Sequence, residues 1–233
     1  YVQEDLIGQI WKDRPPMSKE PVWILDEAYS GRSTKDKLAA VREKMKEKGA
    51  EVHLLASLYD IAWLLNVRGN DISYVPVVLS YLALTQEQCI WFLQEEVVDD
   101  TLREYLQKNG ITTRPYEAFY EYVKTLENQT ILLNRAVVNT KICNNLPESA
   151  QMIDAEDPTL EMKAVKNETE ISNTRKAHVK DAVAMCRFMY WLKKNVGKMK
   201  ITECSAADYL NNLRIGLSGE SPQRTGRPAG FEL

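Results

Sequence analysis

The side chains best suited to bind a substrate lie in and beside a polar loop at residues 66–74. The guanidinium of Arg68 offers a rigid, bidentate fork of donors to a carboxylate or a carbonyl. Trp63, which precedes the loop, is large and amphipathic and suits the wall of a pocket. Loops held between two apolar stretches, as this one is, often carry recognition groups. The predicted substrate-binding residues are Trp63, Asn66, Arg68 and Asp71.

An ordinary turn is the alternative interpretation of the same loop. Gly69 permits backbone conformations that other residues avoid, and the side chain of Asn70 or Asp71 can close an Asx-type turn. The residues alone do not separate this structural role from substrate binding, so both interpretations stay open at this point.

Catalytic and metal-binding patterns are absent from the sequence. It contains two histidines, His53 and His178, and neither has a partner histidine at metal-binding spacing. His53 lies in an apolar strand and His178 on the apolar stripe of a helix, so packing is expected for both. The sequence also lacks a Gly-x-Ser-x-Gly elbow, a P-loop and a Gly-x-Gly-x-x-Gly fingerprint. We therefore predict that this chain contains no catalytic residue and no metal ligand.

The composition is that of an ordinary globular protein. Of its 233 residues, 44% are hydrophobic and 27% are charged, which suits one large domain or one domain with additional fragments. A net charge of −3 provides no basic excess for binding nucleic acid. The apolar run at residues 75–84 is too short to span a membrane. The N-terminus lacks the order of a signal peptide, and the four widely spaced cysteines indicate reduced thiols. We predict a cytoplasmic protein that binds neither nucleic acid nor membrane.

The pattern of elements predicts an α/β fold. Ser33 can cap the first helix, where regular structure is expected to begin, and Gly49 can end it. A strand is predicted at 51–57, and 61–65 is predicted as a short apolar turn. Alternation of strands and helices favours a mixed β-sheet flanked by helices. The other predicted elements are a hairpin of 76–84 and 88–93, strands at 111–116 and 130–133, and helices at 99–109, 117–127 and 134–143.

The C-terminal third is predicted to contain two helices and a disordered tail. Asn167 can cap a helix at 166–195, and Glu170 can return a hydrogen bond to the cap. A second helix is predicted at 202–213. Residues 215–233 are rich in Gly, Pro, Ser and Arg, so burial cannot offset their ordering entropy. The stripe of the first helix that is expected to pack inward consists of Ile171, His178, Ala182, Met185, Met189 and Leu192.

Two motifs around the polar loop resemble the long, three-domain Xaa-Pro aminopeptidases. Residues 58–71 are similar to the family pattern Leu-Asp-x-Ile-Ala-Trp-Leu-x-Asn-x-Arg-Gly-x-Asp, with Tyr59 as an inserted or replaced spacer. Residues 75–81 are similar to its pattern Asn-Pro-Val-x-x-Ser-Tyr. Both motifs belong to the middle domain of those enzymes.

The resemblance continues on both sides of these motifs. Residues 10–15 are similar to the Ile-Trp-x-x-Arg-Pro segment that joins the first two domains of the family. Residues 164–170 and 177–184 resemble the first helix of its pita-bread catalytic domain, and 201–203 and 206–208 continue that similarity. In total the resemblance extends over residues 7–214, with order and spacing preserved.

The resemblance implies a division of the chain into four parts. Residues 1–31 would be an interdomain connector, and 32–158 a complete creatinase/prolidase N-terminal-type α/β domain. Residues 159–214 would be the first helices of an incomplete pita-bread domain. The tail at 215–233 does not resemble the family.

The resemblance also implies a function. Members of the family are metalloenzymes that remove an N-terminal residue preceding proline. Their two divalent ions, commonly manganese, are held by two Asp, one His and two Glu, which would lie beyond the matched part of this chain. We therefore expect a fragment that is inactive alone, whose middle domain walls the active site of a complete, homodimeric enzyme acting on proline-containing peptides.

Two further expectations follow. Arg68 is expected to be partly exposed at the rim of the α/β domain, beside the start of the helix at Asn167. A self-standing, non-catalytic module of the same fold, which binds peptides or supports oligomerisation, is the alternative function.

Overall fold

The structure, a computed structural model of the chain, describes residues 6–218. The strands are β1 (Trp23–Ile24), β2 (Val52–Leu55), β3 (Val67–Arg68), β4 (Tyr81–Thr85), β5 (Cys89–Leu93), β6 (Ile111–Pro115), β7 (Thr130–Leu133) and β8 (Gln151–Asp154). The helices are α1 (Leu6–Ile10), α2 (Glu27–Ser30), α3 (Thr34–Glu47), α4 (Leu58–Leu65), α5 (Asp100–Lys108), α6 (Ala118–Lys124), α7 (Thr140–Asn144), α8 (Pro158–Ala164), α9 (Glu168–Asn195) and α10 (Glu203–Ser218). In this part of the chain, no helix has the length and apolar character needed to cross a membrane.

Six strands form a mixed sheet in the order β6-β5-β4-β2-β7-β8. Strand β2 pairs antiparallel with β4 and parallel with β7, while β4 and β5 form the predicted antiparallel hairpin. The outer strands β6 and β8 each run parallel to their neighbour. The predicted α/β fold with a mixed sheet and flanking helices is therefore confirmed.

Two apolar layers cover the two faces of this sheet. Because side chains alternate along a strand, Leu54 and Leu55 of β2 point to opposite faces. Leu55 and Trp91 belong to the layer beneath α3, α4 and α5. Leu54 and Phe119 belong to the layer beneath α6 and α7. Each of these four side chains is fully buried, so the domain has its own core on both sides of the sheet.

Helix α3 forms where its capping signals predict it. The side chain of Ser33 accepts a hydrogen bond from a backbone N–H of the first turn. Leu38, Val41 and Met45 recur at helical spacing and are each 1% exposed or less. Gly49 follows the helix with a φ of +69°, a conformation that favours glycine.

Several element boundaries differ from the sequence predictions. Regular structure starts before Ser33, with α1, β1 and α2, and residues 61–65 are part of helix α4 rather than a turn. The predicted helix at 134–143 is confined to α7, because the preceding residues form a turn. The short elements β8 and α8 were not predicted. Helix α10 continues to Ser218, beyond the predicted end, and the rest of the predicted disordered tail, 219–233, lies outside the described residues.

Helix α9 is confirmed, but its predicted inward stripe is wrong. Ile171 is 39% exposed and Met189 is 44% exposed, and His178 also lies on the surface. The packed side instead carries Ala184, which is 1% exposed, and α9 contacts α2 and α10. Capping determines where a helix starts, whereas the partner determines which face is buried. Four of the six predicted stripe residues are exposed, whereas Met185 and Leu192 are half-buried.

Candidate functional site

The polar loop begins where α4 ends at Asn66. Asn66 adopts the left-handed conformation with a φ of +50°, and its backbone N–H bonds back to the last turn of α4. This turn directs the chain into β3, which pairs antiparallel with β1, so that Arg68 lies opposite Trp23. The two-stranded ribbon therefore anchors the start of the loop to residues 23–24.

Asn66 serves the interior of the domain. It is 1% exposed, and its Oδ1 accepts a hydrogen bond of 2.7 Å from Lys37 Nζ. Its Nδ2 donates to the carbonyl oxygen of Arg32 at 2.9 Å. Both ends of the amide are used within the chain, as expected for a buried polar group. The structure places this predicted substrate-binding residue beneath the surface.

Lys37 lies at this candidate site, and the sequence prediction missed it. It is 1% exposed, donates to Trp63 O at 2.8 Å and lies 4.3 Å from the centre of the Trp63 ring. Burial lowers the pKa of Lys37 to about 7, although Glu170 acts in the opposite direction. Lys37 precedes the buried Val41 by four residues, so the helical spacing could have predicted that Lys37 lies on the buried face of α3.

Arg68 directs its guanidinium toward its own domain. Its Nη1 donates to the carbonyl oxygens of Ala62 and Val67, both at 2.9 Å. The residue is partly buried, and burial lowers the pKa of Arg68 to about 10, with Glu170 again opposing the shift. Because Glu170 lies in the first turn of α9, Arg68 is near the start of that helix, in the region where the sequence placed it.

Trp63 and Glu170 connect the α/β domain to α9. Trp63 Nε1 donates to Glu170 Oε1 at 3.3 Å, while Glu170 Oε2 accepts from the backbone N–H of Asn167 at 2.9 Å. Asn167 Oδ1 in turn accepts from the backbone N–H of Glu170, which completes the predicted capping box. We refer to Lys37, Trp63, Arg68, Asn167 and Glu170 together as the α9 junction.

The cap of α9 is seated against α2 and the turn after it. Asn167 Nδ2 donates to Ser30 O, and Asn173 Nδ2 donates to Ala28 O, both at 2.9 Å. Gly31 has a φ of +64°, and a Cβ atom there would lie 2.5 Å from Asn167 Oδ1. Glycine is therefore required at this position for two reasons, its backbone conformation and the close approach of the cap.

Asp71 holds the far end of the loop. Its Oδ2 accepts a hydrogen bond of 2.7 Å from the backbone N–H of Leu79. Its Oδ1 is buried and has no hydrogen-bond partner among the described residues. At Gly69 a Cβ atom would lie 2.7 Å from Val78 Cγ2, so glycine is needed there for packing. Asp71 and Gly69 therefore have structural contacts, but the predicted Asx-type turn is not formed: Gly69 has no positive φ, and Asp71 bonds to a backbone N–H eight residues further along the chain.

Metal ligands do not converge in the part of the chain that the structure describes. No group of three or more His, Cys, Asp or Glu side chains among residues 6–218 has an arrangement that suits a metal ion. His53 is fully buried, with Nδ1 3.1 Å from Leu132 O, whereas His178 is exposed on α9. These residues do not fit a two-metal centre.

The sequence profile of the creatinase/prolidase N-terminal domain matches residues 13–170, which is more than half of the chain. The chain belongs to this family. The match ends at Glu170, so the creatinase/prolidase N-terminal domain includes the capping box of α9 and most of the residues that contact it.

Relatives of this creatinase/prolidase N-terminal domain are longer proteins. The chain is 31% identical over 246 residues to a probable Xaa-Pro aminopeptidase P from Neurospora crassa, with 97% of this chain and 36% of that protein covered. It is 32% identical over 208 residues to Xaa-Pro aminopeptidase 1 from Dictyostelium discoideum, with 88% of this chain and 33% of that protein covered. The chain therefore spans about a third of the length of these relatives.

A solved structure has the same arrangement. The X-prolyl aminopeptidase from Caenorhabditis elegans, described as a cytosolic enzyme with a di-nuclear active site, superimposes with a TM-score of 0.83 at 29% identity. The superposition covers 91% of this chain and 36% of that enzyme. X-Pro aminopeptidase from Thermotoga maritima, at 15% identity and a TM-score of 0.53, shares the fold over 79% of this chain and 50% of that enzyme.

Proposed function

We propose that this chain is the non-catalytic part of a metal-dependent Xaa-Pro aminopeptidase, an enzyme that removes an N-terminal residue preceding proline. The observation that carries the proposal is the match to the C. elegans enzyme, which covers 91% of this chain and therefore extends beyond the domain match that ends at Glu170. The α9 junction supports it, because a domain that walls an active site must hold the first catalytic-domain helix in a fixed position.

The catalytic part would cover the outward face of α9. Val179 is 65% exposed and Tyr190 is 67% exposed on this helix. Apolar side chains at these exposures gain free energy when a further part of the protein removes them from water. We expect the two divalent ions, commonly manganese in this class of enzyme, and all their ligands to belong to that further part.

Within the complete enzyme, the predicted substrate-binding residues would shape the wall of the active site. Trp63 and Arg68 would act through Glu170, by fixing the first turn of α9. Asn66 and Asp71 would hold the two ends of the loop between α4 and β4. We further propose a homodimer that acts on proline-containing peptides in the cytoplasm.

The proposal is tested by peptide hydrolysis with and without the remainder of the enzyme. The 233-residue chain, incubated with Mn²⁺ and an Xaa-Pro peptide, is expected to give no turnover, while a longer chain that continues it is expected to be active. Turnover by the 233-residue chain that a chelator abolishes would contradict the proposal. Metal-independent binding of proline-containing peptides by this chain would favour a self-standing module instead.

A further inference from the structure

A second polar cluster lies beneath α8, outside the α9 junction. It contains His53 from β2, Asp60 from α4, and Asp157 and Lys163 from the start and end of α8. His53 is 0% exposed, Asp60 is 3% exposed and Asp157 is 5% exposed. Charged groups are rarely buried to this extent unless they are paired. The cluster joins the sheet to the helix that leads into α9.

The hydrogen-bond geometry fixes the form of His53. Its Nδ1 lies 3.1 Å from the carbonyl oxygen of Leu132, and a carbonyl oxygen can only accept, so Nδ1 carries a proton. Its Nε2 lies 3.7 Å from Asp157 Oδ1, and neither atom has a hydrogen-bond partner among the described residues. A neutral imidazole would present an acceptor lone pair at Nε2 to this carboxyl group.

The charges of the cluster do not balance if both carboxyl groups are ionised. Lys163 Nζ lies 2.6 Å from Asp60 Oδ1, so the one lysine is already paired with one of the two acids. Tyr59, which precedes Asp60, contributes only its aromatic ring, whose centre lies 5.7 Å from Lys163 Nζ. Where α3 packs on α8, exposed Lys44 pairs with Glu47 at 2.7 Å and interacts more weakly with Glu161, so it is not a free partner for the cluster. A single proton on Asp157 or on His53 Nε2 would restore neutrality.

We propose that Asp157 is a neutral carboxylic acid in the folded protein and faces a neutral His53, so that one proton holds α8 on the sheet. The 3.7 Å between Nε2 and Asp157 Oδ1 is longer than a hydrogen bond, so the two groups face each other across a gap. A small side-chain movement that closes this gap would let the acid proton satisfy both buried atoms, which otherwise have no partner among the described residues. We refer to His53 and Asp157 as the proton latch.

Burial supports this assignment for both members of the latch. Burial lowers the pKa of His53 to about 4, despite the opposing effects of Leu132 O and Asp60. Burial, together with the Asp60 carboxylate, raises the pKa of Asp157 to about 7 against the effect of Lys163. In the unfolded chain, where the ordinary values are 6.5 and 3.8, the histidine holds the proton instead.

Folding would therefore transfer a proton from His53 to Asp157 between pH 4 and 6.5. The contribution of His53 to stability is lost as the pH falls from 6.5 toward 4, and that of Asp157 is lost as the pH rises from 3.8 toward 7. The two trends cancel below pH 6.5, because the folded and unfolded pairs bind the same number of protons. Above pH 7, Asp157 ionises beside Asp60, and the docking of α8 weakens.

Single substitutions separate the two opposite pH dependences of stability, that of His53 and that of Asp157. In Asp157→Asn only the histidine titrates, so the folded-to-unfolded ratio is expected to rise by up to tenfold per pH unit from pH 4.5 to 6.5. In His53→Gln only the acid titrates, and the ratio is expected to fall with pH over the same range. Urea denaturation of the 233-residue chain measures both slopes. Exposed control variants, Asp208→Asn and His178→Gln, are expected to change with pH as the unsubstituted chain does.

Nuclear magnetic resonance of the unsubstituted chain tests the proposal without relying on the variants. The chain has two histidines, and His178→Gln assigns their signals. At pH 6 the ¹⁵N shifts of His53 are expected to be those of a neutral ring protonated at Nδ1. An imidazolium at His53, or parallel pH slopes for Asp157→Asn and His53→Gln, would overturn the proton latch.

Discussion

Lys37 is the buried lysine of the α9 junction. It binds the carbonyl of Trp63 and the amide of Asn66, and it lies over the Trp63 ring. Burial disfavours the cation and lowers the pKa of Lys37 to about 7. The junction therefore has a buried amine whose charge changes near neutral pH.

Lys37→Met is expected to lower the free energy of unfolding by about 1–3 kcal/mol, because two buried acceptors lose their donor. The loss should be larger at pH 9 than at pH 7. Between pH 7 and 10.5 the unfolded lysine still holds its proton while the folded lysine has released it, so the stability of the unsubstituted chain rises with pH. Urea denaturation at both pH values measures this, with exposed Lys35→Met as the control. An equal loss at both values would contradict the lowered pKa.

Arg68→Ala is expected to destabilise the 233-residue chain by about 1–3 kcal/mol, because the carbonyls of Ala62 and Val67 lose a charged donor. Arg68→Lys should restore only part of this stability, since an ammonium cannot reproduce the planar fork. Melting curves of the chain and peptide kinetics of the longer enzyme are measured on the same variants, with exposed Arg187→Ala as the control. A loss of stability with unchanged kinetics would exclude a role of Arg68 in peptide capture.

At the scale of single residues, the sequence predicted the positions but not the partners. The spacing of residues 63–71 marked Trp63 and Arg68, and the structure places both near the start of α9. The sequence could not show that Arg68 bonds to the carbonyl oxygens of Ala62 and Val67, because these contacts depend on how α4 meets β3. Lys37 was missed because a lysine is usually exposed.

At the scale of elements, local signals predicted where the long helices begin. The capping side chains of Ser33 and Asn167 bond to the backbone as their spacing indicates. Short elements gave weaker signals: α8 has seven residues and β8 has four, and each is held mainly by tertiary packing. The buried face of α9 could not be read from the sequence because apolar residues occur on more than one side of the helix.

Asn167→Ala tests whether the cap of α9 also docks the helix. The substitution removes the N-cap, at a typical cost of about 0.5–2 kcal/mol, and also the hydrogen bond to Ser30 O. Hydrogen exchange is expected to accelerate in the first turns of α9 and in α2.

Thr202→Ala is the matched control for that experiment. Thr202 accepts from the backbone N–H of Ser205 at the start of α10, so its loss removes a cap without a docking contact to α2. Exchange in α2 should then remain unchanged. If Asn167→Ala leaves α2 as protected as Thr202→Ala does, the cap only starts the helix and does not dock it.

At the scale of the whole molecule, the chain combines a β-sheet covered on both faces with a pair of helices, α9 and α10, that leaves apolar side chains exposed. The sheet buries apolar layers on both faces, and helices flank it as predicted. The strand order could not be predicted, because the parallel pairing of β2 with β7 joins residues that are far apart in the sequence. Helices α9 and α10 pack on each other and leave apolar residues exposed.

A charge placed on the outward face of α9 tests what covers this face. Val179 is 65% exposed, so Val179→Lys should change the stability of the 233-residue chain by no more than about 0.5 kcal/mol. In the longer enzyme the same lysine would be buried without a partner, at a cost of several kcal/mol or a loss of assembly. Ala184→Lys is the control, because Ala184 is 1% exposed and its substitution should destabilise both chains. If Val179→Lys is harmless in both, a catalytic domain does not pack on this face, and the assignment of α9 as its first helix fails.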